Sequence, residues 1–81
     1  AAASQGEASA MFNLAIMYMN GEGIPTNNAM AYMLFALSAG QGLEGAREAR
    51  DVMADELSAS QLKTARRAAA EWTVGEALPS L

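Results

Sequence analysis

Cysteine and histidine are both absent from this 81-residue sequence. Without cysteine, neither a disulfide nor a thiolate metal site can form, and cysteine chemistry says nothing about the redox compartment. Without histidine, the commonest general base and the commonest metal ligand in proteins are missing. The remaining polar residues show no pattern of nucleophile, base and orienting group. We therefore expect no catalytic residues, no metal site and no cofactor.

Basic residues are scarce as well, at 5 Lys and Arg against 9 Asp and Glu, which gives a formal net charge of −4. A surface that binds nucleic acid or an anionic membrane needs clustered cationic groups. We therefore expect neither kind of partner. No apolar run reaches the roughly 18–20 residues that a membrane-spanning helix requires.

Aromatic residues make up only 6% of the chain, whereas hydrophobic residues make up 52%. The core must therefore be built mainly from Ala, Leu and Met. This composition favours closely packed helices over a β-sandwich, and the length allows one small domain at most.

A short motif recurs along the chain. Residues 3–6 (Ala-Ser-Gln-Gly) are followed 36 residues later by residues 39–42 (Ala-Gly-Gln-Gly), and Ala10 is matched by Ala46 at the same spacing. A period between about 20 and 50 residues is typical of stacked helical arrays, in which each unit buries its apolar face on a neighbour. The sequence therefore predicts a helical repeat architecture.

The first half of the chain predicts two helices. Residues 8–19 carry apolar side chains at helical spacing. Asn20 and Gly21 end this helix, because glycine accepts the left-handed conformation without a Cβ clash. Asn27 is the predicted N-cap of the second helix, whose body, residues 29–39, contains no charged side chain. A helix of this kind needs neighbours on both sides.

The second half of the chain predicts two more helices. The first of them spans residues 44–57 and is amphipathic. Ser58 and Gln61 fit a capping box that begins the last helix, which extends to about Trp72. Residues 73–81 contain glycine and proline and predict an irregular tail.

The first helix has apolar side chains on two sides. One stripe consists of Met11, Leu14, Ala15 and Tyr18, and the other consists of Phe12, Ile16 and Met19. Such a helix needs packed neighbours on both sides, or a neighbour on one side and a ligand on the other. Met11, together with Met53 of the third helix, lies on an inward stripe and is a predicted core residue. For Met19, the sequence does not decide between packing in the core and contact with a ligand.

Residues 21–23, Gly-Glu-Gly, form the one glycine pattern that could suggest a phosphate loop. They follow a helix rather than a strand, and no lysine is near. A turn is therefore favoured over phosphate binding.

The carboxylates of the third helix share a face at helical spacing. We interpret this face as solvated and partly paired rather than as a metal site, with Arg47 paired to Asp51. Further cations face it from the adjoining helix, namely Lys63, Arg66 and Arg67.

An ordered series of residues resembles the repeat unit of a known family. The series runs through Ala10, Asn13-Leu14-Ala15, Tyr18, Gly21-Glu22-Gly23-Ile24-Pro25, Asn27, Ala31, Leu34-Phe35 and Ser38-Ala39-Gly40-Gln41-Gly42. It is similar to the Sel1-like repeats, a branch of the tetratricopeptide-like helical arrays. Leu34 stands where that family usually has Trp, Ala15 where it often has Gly, and Leu37 where Lys is common.

The resemblance implies an all-α, tetratricopeptide-like right-handed superhelix (an α-α solenoid) of four helices in two antiparallel pairs. Residues 1–6 are then the end of a preceding repeat helix, and residues 7–42 are one Sel1-like repeat. Residues 43–72 are a degenerate C-terminal repeat or capping helix pair, and residues 73–81 are the irregular tail. The resemblance also favours a bacterial protein of the periplasm or the exterior over a cytoplasmic one.

The same resemblance implies a non-catalytic protein–protein interaction module, an adaptor or scaffold that binds a peptide or protein. In such arrays the first helix of each unit lines a concave groove, and the 36-residue offset carries groove positions into the second unit. The implied partner-binding residues are Phe12, Ile16, Met19, Asn20, Glu48, Val52 and Asp55. The alternatives are a structural C-terminal cap of a longer array, a segment that self-associates through its apolar N-terminal edge, and, more remotely, a small-ligand or cation-binding domain.

Overall fold

Four helices make up the regular structure of the part of the chain that the structure describes. This part, in the computed structural model, is residues 2–72 and residue 81, with side chains described from Glu7 onward. The helices are α1 (Ala2–Asn20), α2 (Asn28–Gly40), α3 (Ala46–Asp55) and α4 (Ala59–Glu71). The prediction of an all-α, tetratricopeptide-like fold with four helices is confirmed, and the handedness of its superhelix stays a prediction. None of the described helices is both long enough and apolar enough to span a membrane.

Helix α2 lies at the centre of the molecule. Residues 30–35 are all buried, and since this run is longer than one helical turn, every side of the helix is covered there. The covering comes from α1, α3 and α4, each of which packs against α2. Helices α3 and α4 contact each other less than either contacts α2. The prediction that the uncharged helix needs neighbours on both sides is therefore confirmed.

The first helix begins earlier than predicted. Helix α1 runs without interruption through Gly6, so the predicted helix boundary between residues 1–6 and residues 8–19 is wrong. Ala, Gln and Glu in this stretch are strong helix formers, and a single interior glycine costs only about 1 kcal/mol. Nothing in the local chemistry therefore stops the helix at Gly6. The assignment of residues 1–6 to a preceding repeat stays a prediction.

Two glycines end α1 and reverse the chain. Gly21 and Gly23 have φ values of 70° and 75°. The N–H groups of Gly21 and Glu22 both donate to the carbonyl oxygen of Met17, at 2.8 and 3.0 Å. This pattern satisfies a carbonyl that the end of a helix would otherwise leave free. The interpretation of residues 21–23 as a turn is confirmed.

Asn27 connects three parts of the chain. As the N-cap of α2, its side-chain Oδ1 accepts a hydrogen bond from the Met30 N–H at 3.1 Å. Its own backbone N–H donates to the carbonyl oxygen of Tyr18 at 2.9 Å, and its Nδ2 donates to that of Leu81 at 3.0 Å. The predicted cap is therefore confirmed, and the same residue also ties α2 to α1 and to the end of the chain.

Leu81 has no regular secondary structure and packs against the core. This agrees with the predicted irregular tail at that one position. The rest of the predicted tail, residues 73–80, lies outside the described residues.

Helix α3 is shorter than the predicted residues 44–57. Gly45 precedes it with a φ of 86°, a left-handed conformation that excludes it from the helix interior. Helix α4 begins with the predicted capping box, which is confirmed. In this box, Ser58 Oγ accepts from the Gln61 N–H at 3.1 Å, and Gln61 Oε1 accepts from the Ser58 N–H at 3.0 Å.

Gly21→Ala is expected to lower the free energy of unfolding more than Gly23→Ala. Both positions have a positive φ, and a left-handed non-glycine residue costs about 1–2 kcal/mol. A Cβ on Gly21 would also lie 2.5 Å from Thr26 Oγ1, whereas a Cβ on Gly23 would meet nothing within 4 Å. We expect an additional loss of about 1 kcal/mol for Gly21→Ala, measured by urea unfolding followed by circular dichroism.

Thr26→Ala provides the control for that crowding, because it removes Oγ1. In the Gly21→Ala/Thr26→Ala double variant, the additional loss should disappear, which leaves a loss close to that of Gly23→Ala. Equal losses in the two single glycine variants would show that the Thr26 contact is relieved at no cost.

Asn27→Asp is expected to lower the free energy of unfolding less than Asn27→Ala. Alanine removes both the cap acceptor and the donor to Leu81, and loss of a cap costs about 0.5–2 kcal/mol. Aspartate keeps the acceptor and adds a negative charge at a helix N-terminus, which is favourable by about 0.3–1 kcal/mol, but it cannot donate to Leu81. Urea unfolding of both variants separates these roles. If aspartate costs as much as alanine, the contact with Leu81 outweighs the cap.

Candidate partner-binding surface

Phe12, Ile16 and Met19 share one side of α1 because they are spaced three and four residues apart. Each is half-buried and packs against the core around α2. The ring centroids of Phe12 and Phe35 are 5.1 Å apart, with 65° between the ring planes, an edge-to-face contact. These side chains, here called the α1 flank, therefore contribute to core packing. Replacing Phe12 or Ile16 with serine would test stability as well as binding.

Helix α3 presents a different surface. Val52 is 57% exposed, the highest exposure of any large hydrophobic side chain in the described residues. Glu48, four residues before it, and Asp55, three residues after it, are exposed on the same side of the helix. The opposite side of α3 carries Ala46 and Met53, both buried. Glu48, Val52 and Asp55, here called the α3 patch, are therefore held outward because the other side of the helix is fixed in the core.

The α1 flank and the α3 patch lie on different helices. No hydrogen bond, ion pair or aromatic ring contact of the described residues joins the two sets. Helices α1 and α3 are instead related through α2, against which both pack. The structure thus places the predicted binding residues on two helices that share one neighbour.

Asn20, the remaining predicted binding residue, is exposed in the last position of α1. Its Nδ2 donates to Glu22 Oε1 at 3.1 Å. The amide is therefore oriented by the turn that follows the helix.

The predicted ion pair between Arg47 and Asp51 is wrong. Asp51 instead accepts from its neighbour Arg50, whose Nη2 and Nε lie 3.1 and 3.2 Å from Asp51 Oδ1. Two N–H groups of one guanidinium reach the same carboxylate oxygen, a contact that Arg50 makes without spanning a helical turn. The guanidinium of Arg50 therefore compensates part of the negative charge of Asp51.

The cations of α4 do not pair with α3 in the described residues. Arg67 Nε lies 3.3 Å from Glu71 Oε1 within α4, and Arg66 Nε donates to Tyr32 Oη at 3.4 Å. The expected pairing of the acidic face with the adjoining helix is therefore not formed. Glu48 and Asp55 face solvent without a cation partner among the described residues.

Shallow pockets lie at the loop between α2 and α3. Two of them have a volume of about 300 Å³ each, and Leu43 is the one large apolar residue that lines them. Glu48 is among the residues that line one pocket, and Gln41 lines the other; Gln41 Oε1 is buried and has no partner among the described residues. Small-molecule sites are mostly apolar with a few placed polar groups, so these pockets do not resemble one. Within the described residues, no three His, Cys, Asp or Glu side chains are grouped so as to hold a metal ion.

The methionines divide between core and surface. Met53 is buried as predicted, and Met11 is half-buried and packs against the core. Met17 is 36% exposed on the side of α1 away from α2. The surface that Met17 occupies is therefore separate from the α1 flank.

Ser38 is a structural residue that the sequence reasoning missed. It is fully buried, and its Oγ lies 3.0 Å from the carbonyl oxygen of Ala8 and 2.9 Å from that of Leu34. A hydroxyl donates to one acceptor at a time, and the contact with Ala8 links α2 to α1. The signal that could have identified it is a lone hydroxyl in the last turn of an otherwise apolar, uncharged helix.

Comparison with known proteins is informative for one segment of the chain. Residues 8–43 match the model of the Sel1 repeat family, whereas no curated protein and no solved structure matched. The matched segment begins and ends one residue after the predicted repeat, residues 7–42. Sel1 repeats generally mediate protein–protein interactions and form a non-catalytic module. Residues 8–43 therefore match one Sel1 repeat, and the all-helical, four-helix fold of the described residues is consistent with a Sel1-like helical repeat.

Proposed function

We propose that this chain is a non-catalytic adaptor or scaffold module that binds a peptide or protein partner through the α1 flank and the α3 patch. The observation that carries the proposal is the exposure of Val52 between two exposed carboxylates on a helix whose other side is fixed in the core. Protein–protein interaction is the general role of Sel1 repeats, and the absence of histidine and cysteine from the sequence is consistent with a non-catalytic role.

Val52 supplies the apolar part of the α3 patch. More than half of its surface is in contact with water, and covering that surface by a partner would contribute on the order of 1 kcal/mol. A rigid anchor also loses little side-chain entropy on binding, and a β-branched residue in a helix has one strongly preferred rotamer. Val52 is therefore suited to act as a binding contact.

Glu48 and Asp55 supply charge beside that apolar contact. They have no cation partner among the described residues, so a partner that brings a donor or a cation does not have to displace an existing ion pair. Charges at the edge of an interface select partners and accelerate association more than they raise affinity. These two carboxylates are therefore proposed to determine specificity.

The α1 flank is proposed to contribute apolar surface and one polar group. Ile16 and Met19 are half-buried, so part of each side chain is covered by the core and part can contact a partner. Asn20 adds an exposed amide at the end of the same helix. Phe12 is proposed mainly to hold the flank in place, because its ring is in contact with Phe35.

A capping role for residues 43–72 is a second candidate function, favoured by the outer face of α4. The exposed side chains there are polar or small, and they include Ser60, Lys63, Arg66, Arg67 and Glu71. A solenoid needs a polar outer face at its end.

Self-association through the N-terminal edge of the chain is the other part of this second candidate function. Analytical ultracentrifugation that finds only monomer at high concentration would exclude that self-association.

Val52→Glu is expected to weaken peptide binding by about tenfold or more, which corresponds to about 1.4 kcal/mol. The substitution replaces the apolar contact and adds a third carboxylate to the α3 patch. The probe is a peptide obtained by selecting a random-peptide phage library on the full chain, then synthesised and titrated by fluorescence anisotropy.

Ala10→Glu is the matched control, since it adds the same carboxylate at an exposed apolar position of α1 that helical spacing places on the opposite side of the helix from the α1 flank and more than two turns from Asn20. Its dissociation constant should stay within about twofold of that of the unaltered chain. Both sites are exposed, so each substitution should change the free energy of unfolding by about 0.5 kcal/mol or less. Failure to enrich any peptide, or an equal loss of affinity in both variants, would contradict the proposed function.

A further inference from the structure

Asn20 is followed directly by Gly21, and no other asparagine in the sequence precedes a glycine. The backbone nitrogen of the following residue can attack an asparagine side chain, and glycine is the residue that hinders this attack least because it lacks Cβ. Asn20 is also exposed to water. We propose that Asn20 is a site of deamidation whose reactivity is controlled by the last turn of α1. The proposal does not depend on the proposed binding function.

The reaction needs only water and a base from the solvent. The backbone nitrogen of Gly21 loses its proton and forms a bond to Cγ of Asn20, and the bond from Cγ to Nδ2 then breaks as Nδ2 takes up a proton and leaves as ammonia. The product is a five-membered succinimide that includes both residues. Water opens it at either carbonyl, which yields aspartate or isoaspartate. No atom changes oxidation state overall, and one amide and one water become one carboxylic acid and one ammonia.

The structure restrains both groups that must react. The attacking nitrogen of Gly21 carries an N–H that donates to the carbonyl oxygen of Met17 at 2.8 Å. The leaving group, Nδ2 of Asn20, donates to Glu22 Oε1 at 3.1 Å. The backbone of Asn20 is itself helical. Attack therefore requires the end of α1 to open, so the reaction rate reports how often that last turn is lost.

Deamidation would change the chemistry of this position. It adds one negative charge to a chain whose formal net charge is −4. The new carboxylate lies at the C-terminus of a helix, where negative charge is unfavourable, and it replaces the donor to Glu22 with a second acceptor. The modified chain is therefore expected to have a weaker α1 terminus and a more acidic surface beside the α1 flank.

The test compares deamidation of the folded and the unfolded full chain. The protein is incubated at mildly alkaline pH, with and without urea above its unfolding transition, and peptide mapping by mass spectrometry follows the gain of one mass unit at each asparagine. In urea, Asn20 should react faster than Asn13, Asn27 and Asn28, which are followed by bulkier residues. In the folded chain, its rate should fall by about tenfold or more, because local opening costs free energy.

Gly21→Ala provides a control in the unfolded state, where effects on folding do not enter. The added Cβ should slow the reaction at Asn20 several-fold in urea. If this substitution leaves the deamidation rate of Asn20 unchanged, the proposed site is wrong. It is also wrong if another asparagine reacts faster than Asn20 in urea. Equal rates of deamidation in the folded and unfolded chain would contradict the inference that the last turn of α1 limits the reaction at Asn20.

Asn20→Asp mimics one product, and Asn13→Asp is its matched control at an exposed position in the middle of α1. Asn20→Asp should lower Tm by about 2–6 °C. Asn13→Asp makes the same charge change away from the helix terminus and should lower Tm less. Equal shifts in the two variants would overturn the inferred weakening of the α1 terminus.

Discussion

The burial of an uncharged helix on all of its sides is the constraint on which the rest of this structure depends. Residues 30–35 of α2 contact protein on every side, and no single neighbouring helix can cover them. Helices α1, α3 and α4 each contribute one apolar or small-residue face to α2, so the three depend on one common partner. Because apolar burial is the main favourable term in folding, loss of one covering helix exposes surface shared with the others.

The surfaces left for a partner follow from that packing. Helix α1 uses Phe12 to cover Phe35, which leaves its flank half-buried. Helix α3 fixes Met53 in the core and so turns Val52 outward. A shared scaffold with variable outward residues is how a repeat fold accommodates different partners. Under the proposed function, partner specificity depends on a few outward side chains, while the core determines the helices that hold them.

The joint between α1 and α2 combines stability with chemical reactivity. Gly21 has a positive φ, which allows the chain to leave α1, and its N–H is satisfied by Met17. The absence of a Cβ at Gly21 also makes the preceding Asn20 susceptible to attack by the backbone. The hydrogen bond that completes the helix end therefore also keeps the reactive nitrogen occupied. Asn27 stabilises the other side of the joint through three hydrogen bonds.

The sequence by itself determined the helical class, the turn at Gly21, the cap at Asn27 and the capping box at Ser58, because each depends on residues only a few positions apart. It also predicted that α2 must be covered on both sides, since an uncharged helix has no face for water. Only the tertiary structure decided which contacts form between distant residues or among competing neighbours. These are the contact of Phe12 with Phe35, the hydrogen bond from Asn27 to Leu81 and the ion pair of Asp51 with Arg50. The tertiary packing also decided that Val52 is exposed. Helical spacing determines which side chains share a face, whereas the burial and pairing of those side chains depend on which other helices pack against that face.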